Sequence, residues 1–206
     1  MKHYLTSISV AALFFLSSCG GSTETKNTTA ESTTSTSETT TAPVINIDPS
    51  SWVATDLSAI STMVPVIVNL PKDAKMEKNG NGGVDIKLND AYTITVSTSL
   101  AISTVKEGIE SDKSLTIKNT TSYKDGKAII DEANGFVYSM QMNDEANGTK
   151  YEPEAHFYCY LEKDGAIYSI NDIRPMDNFF LPGNTYTAEN AKKLYDAVKT
   201  SEKFKY

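Results

Sequence analysis

Alternation of apolar and polar residues dominates the chain between residues 64 and 170. Val64, Val66, Val68 and Leu70 alternate with Pro65, Ile67 and Asn69. Val84, Ile86 and Leu88 alternate with Asp85, Lys87 and Asn89, and Tyr92, Ile94 and Val96 with Thr93, Thr95 and Ser97. A period of two gives a strand one apolar face, so three strands are expected here. Asn79-Gly80-Asn81-Gly82-Gly83 separates the first two runs and Asn89-Asp90 the next two. Both are turn sequences suited to antiparallel pairing. Thr104-Val105-Lys106-Glu107 then fits a helical capping box, with Val105 and Ile109 on one face and Gly108 weakening the helix.

Strand signals return after this short helix. Leu115 and Ile117 are two apart, and Ala128-Ile129-Ile130 follows an expected turn at Asp125-Gly126. Phe136, Tyr138, Met140 and Met142 alternate with Val137, Ser139 and Gln141; Phe157, Cys159 and Leu161 alternate with His156, Tyr158 and Tyr160. Asp164-Gly165 predicts a hairpin to Ala166, Tyr168 and Ile170. Asp-Glu-Ala-Asn-Gly occurs at 131–135 and again at 144–148, each copy reading as a turn at a strand end. Near the C-terminus, Thr187 is a good N-cap, and Ala191, Leu194, Tyr195 and Val198 follow the i, i+3, i+4, i+7 spacing of an amphipathic helix. The order β-β-β-α-β-β-β-β-α predicts an α+β fold. One antiparallel sheet of about six or seven strands would carry a short middle helix and a C-terminal amphipathic helix packed on it.

The N-terminus has a different pattern. Lys2 and His3 precede a mostly apolar run, Ile8 to Leu16, which is too short to span a bilayer and matches the apolar region of a signal peptide. Leu16-Ser17-Ser18-Cys19 follows and resembles the lipobox of bacterial envelope lipoproteins. That resemblance implies a signal peptide over 1–18, cleavage before Cys19 and acylation of Cys19. Each buried methylene contributes about 0.8 kcal/mol, so several chains on one residue anchor stably. Gly20, where inner-membrane lipoproteins carry Asp, leans the expectation towards the outer membrane. From Ser22 to Thr41, fourteen of twenty residues are Ser or Thr and none is large and apolar. Such a stretch cannot offset its ordering entropy, so 19–42 is expected to be the lipidated Cys and a disordered tether. Residues 43–206 are expected to form a single α+β domain.

Charge and cysteine usage narrow the chemistry. The net charge is −7, and loss of residues 1–18 removes only Lys2, giving −8. An acidic domain argues against nucleic-acid binding and against a polybasic membrane contact. Of two cysteines, lipidation would consume Cys19 and leave Cys159 alone, without an internal disulfide. Glu77, Asn79, Asn81, Gly82 and Asp85 imitate the spacing of a calcium loop, but Leu88 stands where a bidentate Glu is needed, so a hairpin turn is preferred. No metal or cofactor is expected.

His156 and Cys159 invite a thiol–imidazole pair, yet three residues apart on a strand they face opposite sides. No Gly-x-Ser-x-Gly elbow occurs, and the acids at 131–132 and 144–145 read as solvated turn residues. The chain is therefore read as a non-enzyme, with no catalytic residues. The alternative is a small-molecule hydrolase using His156 in a pocket. His156, Tyr158 and Tyr160 on one strand face, and the apolar loop Phe179-Phe180-Leu181-Pro182-Gly183, are the candidate partner surface; the preferred alternatives are that a second helix layer or loop covers the strand face and that the apolar loop plugs the core edge. Trp52 is expected to pin the start of the domain to the sheet.

The residues Asp56-Leu57-Ser58, Val66-Ile67-Val68-Asn69-Leu70-Pro71, Gly165-Ala166-Ile167-Tyr168 and the 187–202 helix resemble PsbP-like α/β/α domains, found also in envelope lipoproteins of the same plan. The resemblance spans roughly 52–204 and implies a non-catalytic accessory or binding role, without carrying over any site residue. The expected partners are the membrane, through the lipid anchor, and an envelope protein or glycan.

Overall fold

A computed structural model describes residues 48–89, 92–144, 148, 150–173, 185–199 and 203–204. The strands are β1 Val53–Asp56, β2 Val66–Leu70, β3 Lys75–Lys78, β4 Val84–Asn89 and β5 Tyr92–Thr98, followed by β6 Tyr123–Glu132, β7 Gly135–Met142, β8 Glu154–Lys163, β9 Ala166–Ile173 and β10 Lys203–Phe204. Helix α1 spans Val105–Leu115 and α2 spans Ala188–Lys199. Seven strands form one antiparallel sheet, as expected, in the order β3-β4-β5-β9-β8-β7-β6. A second antiparallel sheet has the order β1-β2-β10.

The large sheet carries a helix on each face. Odd positions of β8 (Phe157, Cys159, Leu161) join Ile86, Ile94, Val96, Val137 and Ile170 in the main core, which Ala191, Leu194, Tyr195 and Val198 of α2 close. Val66, Val68 and Leu70 of β2 enter the same core, with Trp52 half-buried against it. Even positions of β7 and β8 face the other way. Phe136, Tyr138, Met140 and Tyr160 form a second core with Ile167 and with Ile109 of α1.

Both helices begin at the predicted residues. Thr104 accepts a hydrogen bond from the Glu107 amide at 3.1 Å, and the Glu107 carboxylate accepts from the Ser103 amide at 2.9 Å. The reciprocal bond of the capping box thus falls one residue early. Thr187 accepts from the Asn190 amide at 3.2 Å and starts α2. Asp164 and Gly165, with φ of 52° and 78°, make the two-residue turn between β8 and β9. Two successive left-handed residues match the strand twist, and Gly165 adopts that conformation without a Cβ penalty.

Three expectations are corrected. The run 64–70 does not pair with 84–88 across Asn79–Gly83. That turn joins β3 to β4, held by Asn79 Oδ1 accepting from the amides of Asn81 and Gly83, while β2 pairs with β1. The four residues of β3 carry only one apolar side chain, Met76, so alternation could not reveal them. Leu115 and Ile117 are not a strand: Leu115 ends α1 with 62% of its surface exposed, and Ile117 lies in the turns that follow. Asp125-Gly126 is not a turn between elements but an irregularity inside β6, where the register shifts between Lys124 and Lys127 and Asp125 has φ of 55°.

Candidate functional site

The most unusual chemistry lies at one end of the large sheet, where β8 starts, β9 ends and β5 begins. Ile94 pairs with Asp172 across β5 and β9, and Tyr158 with Asn171 across β9 and β8. This register gathers Glu154, His156, Asp172 and Tyr92. His156 Nδ1 lies 3.1 Å from Asp172 Oδ2, and His156 Nε2 lies 3.1 Å from Glu154 Oε2. The Tyr92 hydroxyl donates to Asp172 Oδ2 at 2.8 Å, and the Phe157 amide donates to Asp172 Oδ1 at 3.1 Å. All three charged residues are buried. Tyr186 closes the cluster. Its ring stacks on Tyr92 with centroids 4.6 Å apart and lies 5.0 Å from the His156 ring, and its carbonyl accepts from the Ala155 amide at 2.8 Å.

Burial by itself would push the His156 pKa down. The carboxylates of Asp172 and Glu154 outweigh it and hold the imidazole up at about 9. The geometry agrees, because a neutral imidazole can donate from one nitrogen only, whereas the imidazolium donates to both carboxylates. Tyr92 is pushed well above the usual phenol range, by burial first and by the Asp172 charge second, and stays a neutral donor. The cluster is thus an ion-paired bridge joining β5, β8 and β9.

This arrangement does not suit His156 to the hydrolase role. An imidazolium donating from both nitrogens offers no lone pair to take a proton from a nucleophile. Cys159 is fully buried in the main core, with Phe157 and Leu161. The Asn79–Gly83 segment closes the β3–β4 hairpin, and Asp85 Oδ1 there accepts from Asn79 at 3.0 Å and from Thr95 at 2.6 Å. Among the described residues, no group of three or more His, Cys, Asp or Glu is arranged to hold a metal ion.

Of the candidate partner surface, the strand face is covered, the alternative preferred for it. His156 is 4% exposed and Tyr160 2%, while Tyr158 is half-buried. Helix α1 lies over this face, and Tyr160 donates to Asp112 of that helix. Amphipathic residues on a sheet face are buried once a helix packs there, and their hydroxyls then need partners. Cys19, Phe179 and Phe180 lie outside the described residues. Sequence reasoning missed Glu154, Asp172 and Tyr92. Glu154 precedes His156 by two on the same strand, which was a usable signal. Asp172 ends β9 and meets His156 only through the β8–β9 register.

Three recesses open beside this framework among the described residues, and two of them touch the charged cluster or the aromatic strand face. One, of about 490 Å³, is lined by Lys127, Ser139, Pro153, Glu154 and Tyr186 among others. The other, of about 290 Å³, lies beneath α1 against Tyr158 and Tyr160.

No family model matches the chain, and no curated protein matches it. Among solved structures, the chain is similar to cyanobacterial PsbP (CyanoP) from Synechocystis sp. PCC 6803, whose structure was determined in solution. The sequence identity is 11% and the TM-score 0.39, over 80% of this chain and 98% of that one. The likeness carries no residue, ligand or activity to this chain.

Proposed function

We propose that this chain is a lipid-anchored protein of the bacterial cell envelope, on the outer membrane, acting as a non-catalytic binding or assembly domain for an envelope protein or glycan. The observation that carries the reading is Leu16-Ser17-Ser18-Cys19 at the end of a short apolar run. The Ser/Thr-rich stretch that follows supports it, since a polar tether holds a domain near a membrane without burying it. The locked state of His156 supports a binding role over hydrolysis, because both ring nitrogens are spent on holding strands together.

The anchor is tested by metabolic labelling with a fatty-acid probe in intact cells. The wild type takes up label and fractionates with the membrane, and Cys19→Ala does neither. Equal labelling of both forms overturns the anchor. Crosslinking in intact cells followed by pull-down tests the binding role. A discrete crosslinked species is expected, and recovery of the chain alone counts against a partner.

A further inference from the structure

We propose that the recess beneath α1 binds a small organic cation, with the Asp112 carboxylate as its counter-ion and Tyr158 and Tyr160 as its aromatic wall. The inference rests on the binding role proposed above and names the chemistry of one ligand. Its test is independent of the lipid anchor.

The recess is built by close approach of α1 to the sheet. A Cβ on Gly108 would stand 2.6 Å from Ile102 Cδ1 and 2.9 Å from Tyr160 Cε1. Only glycine lets the helix backbone come this near the tyrosine, because contacts under about 3 Å force a shift of the neighbour. The recess is open to solvent on one side, and its volume of about 290 Å³ is at the small end of ligand sites. Leu100 and Ile102 form its apolar rim, and Leu100 is 82% exposed. An exposed leucine beside a recess is an apolar contact awaiting a partner.

The electrostatics choose a cation. Asp112 is half-buried, and its Oδ2 accepts from the Tyr160 hydroxyl. Among the described residues, Oδ1 accepts no hydrogen bond, and no Lys, Arg or His lines the recess. Burial raises the carboxyl pKa, only partly offset by the Tyr160 bond, so the charge is under-compensated. Tyr158 and Tyr160 stack nearly parallel, with centroids 6.3 Å apart and planes 14° apart. Burial drives both phenols well above their ordinary pKa, so they stay neutral. Aromatic faces beside a carboxylate attract an ammonium through the ring quadrupole and the charge together. A neutral sugar of similar size would leave the carboxylate without a counter-ion.

The test is an NMR titration of the full chain, in a non-ionic detergent, with tetramethylammonium, and with glucose as the neutral probe. Saturable shifts at the amides of Gly108, Asp112 and Tyr158 are expected with the cation and none with glucose. Asp112→Asn keeps the volume and the Tyr160 partner and should weaken binding about tenfold or more. Asp131→Asn, at an exposed carboxylate paired with Lys113, should leave binding unchanged. Cation binding to the wild type should be lost on acidification, starting above the pH at which an ordinary carboxyl titrates. Competition by phosphatidylcholine vesicles marks a lipid headgroup as the source of the cation, and no competition marks a soluble one. Absence of saturable shifts, equal affinity in Asp112→Asn, or glucose binding as tight as the cation overturns the proposal.

Discussion

Replacing His156 by Gln tests the ion-paired bridge at the end of the sheet. The folded protein holds His156 at about 9, against 6.5 for the free side chain. A proton is therefore bound more tightly in the folded state, and the linked stability is fully present below pH 6.5 and lost as pH rises through 9. The rise from 6.5 to about 9 corresponds to about 3 kcal/mol. Because the side chain is almost fully buried, solvent screening does not reduce this appreciably. Gln can offer its amide to one carboxylate and leaves the other buried without its cation, a loss of about 3–5 kcal/mol at pH 6. The assay is urea unfolding, followed by fluorescence of Trp52, the only tryptophan, at intervals from pH 6 to pH 10. Wild-type stability should fall by about 3 kcal/mol across this range. The gap to His156→Gln should narrow by a similar amount, because lysine and tyrosine titrations are common to both proteins. If the wild type is flat from pH 6 to pH 9.5, or the variant falls as steeply, the imidazolium bridge is refuted. Should the variant fail to fold, an NMR titration of the wild-type His156 ring decides: a transition near 9 is expected, and one near 6.5 refutes the bridge.

Other perturbations probe the rest of the framework. Leu194→Ala in α2 removes a fully buried side chain from the main core and should cost about 2–5 kcal/mol in chemical denaturation. Thr104→Ala removes the N-cap of α1; a loss of about 1 kcal/mol is expected, with hydrogen exchange accelerated first over 105–109. The Cys159 thiol, fully buried, should react with a thiol reagent at the rate of unfolding, and labelling should be immediate only in denaturant. Rapid native-state labelling at Cys159 would contradict the packing of β8 against α2.

Much of the secondary structure was legible because the inner strands of the large sheet bury apolar side chains at alternate positions. In β7 and β8 the odd positions serve one core and the even positions the other, so the run Phe157-Tyr158-Cys159-Tyr160-Leu161 reads as a strand from either side. The helix starts were legible because Thr104 and Thr187 satisfy backbone amides within their own segments. β3 was not legible, because an edge strand needs only backbone pairing and has little apolar surface to bury. Nor was the irregularity at Asp125-Gly126, where the same residues could close a hairpin or bulge an edge strand.

By itself, the sequence determined what local chemistry controls: the alternation, the caps, the Asp164-Gly165 turn and the acidic charge. Only the tertiary structure decided what depends on strands far apart in the chain meeting. β5 pairs with β9 across some eighty residues, as Tyr92 and Asp172 show. The β8–β9 register places Asp172 against His156 and turns a lone histidine into a buried cation between two carboxylates. Packing of α1 on the sheet covers Tyr160, which converts an aromatic strand face from a surface into an interior. A side chain's exposure and charge state depend on its neighbours in space, and those are fixed by register and packing.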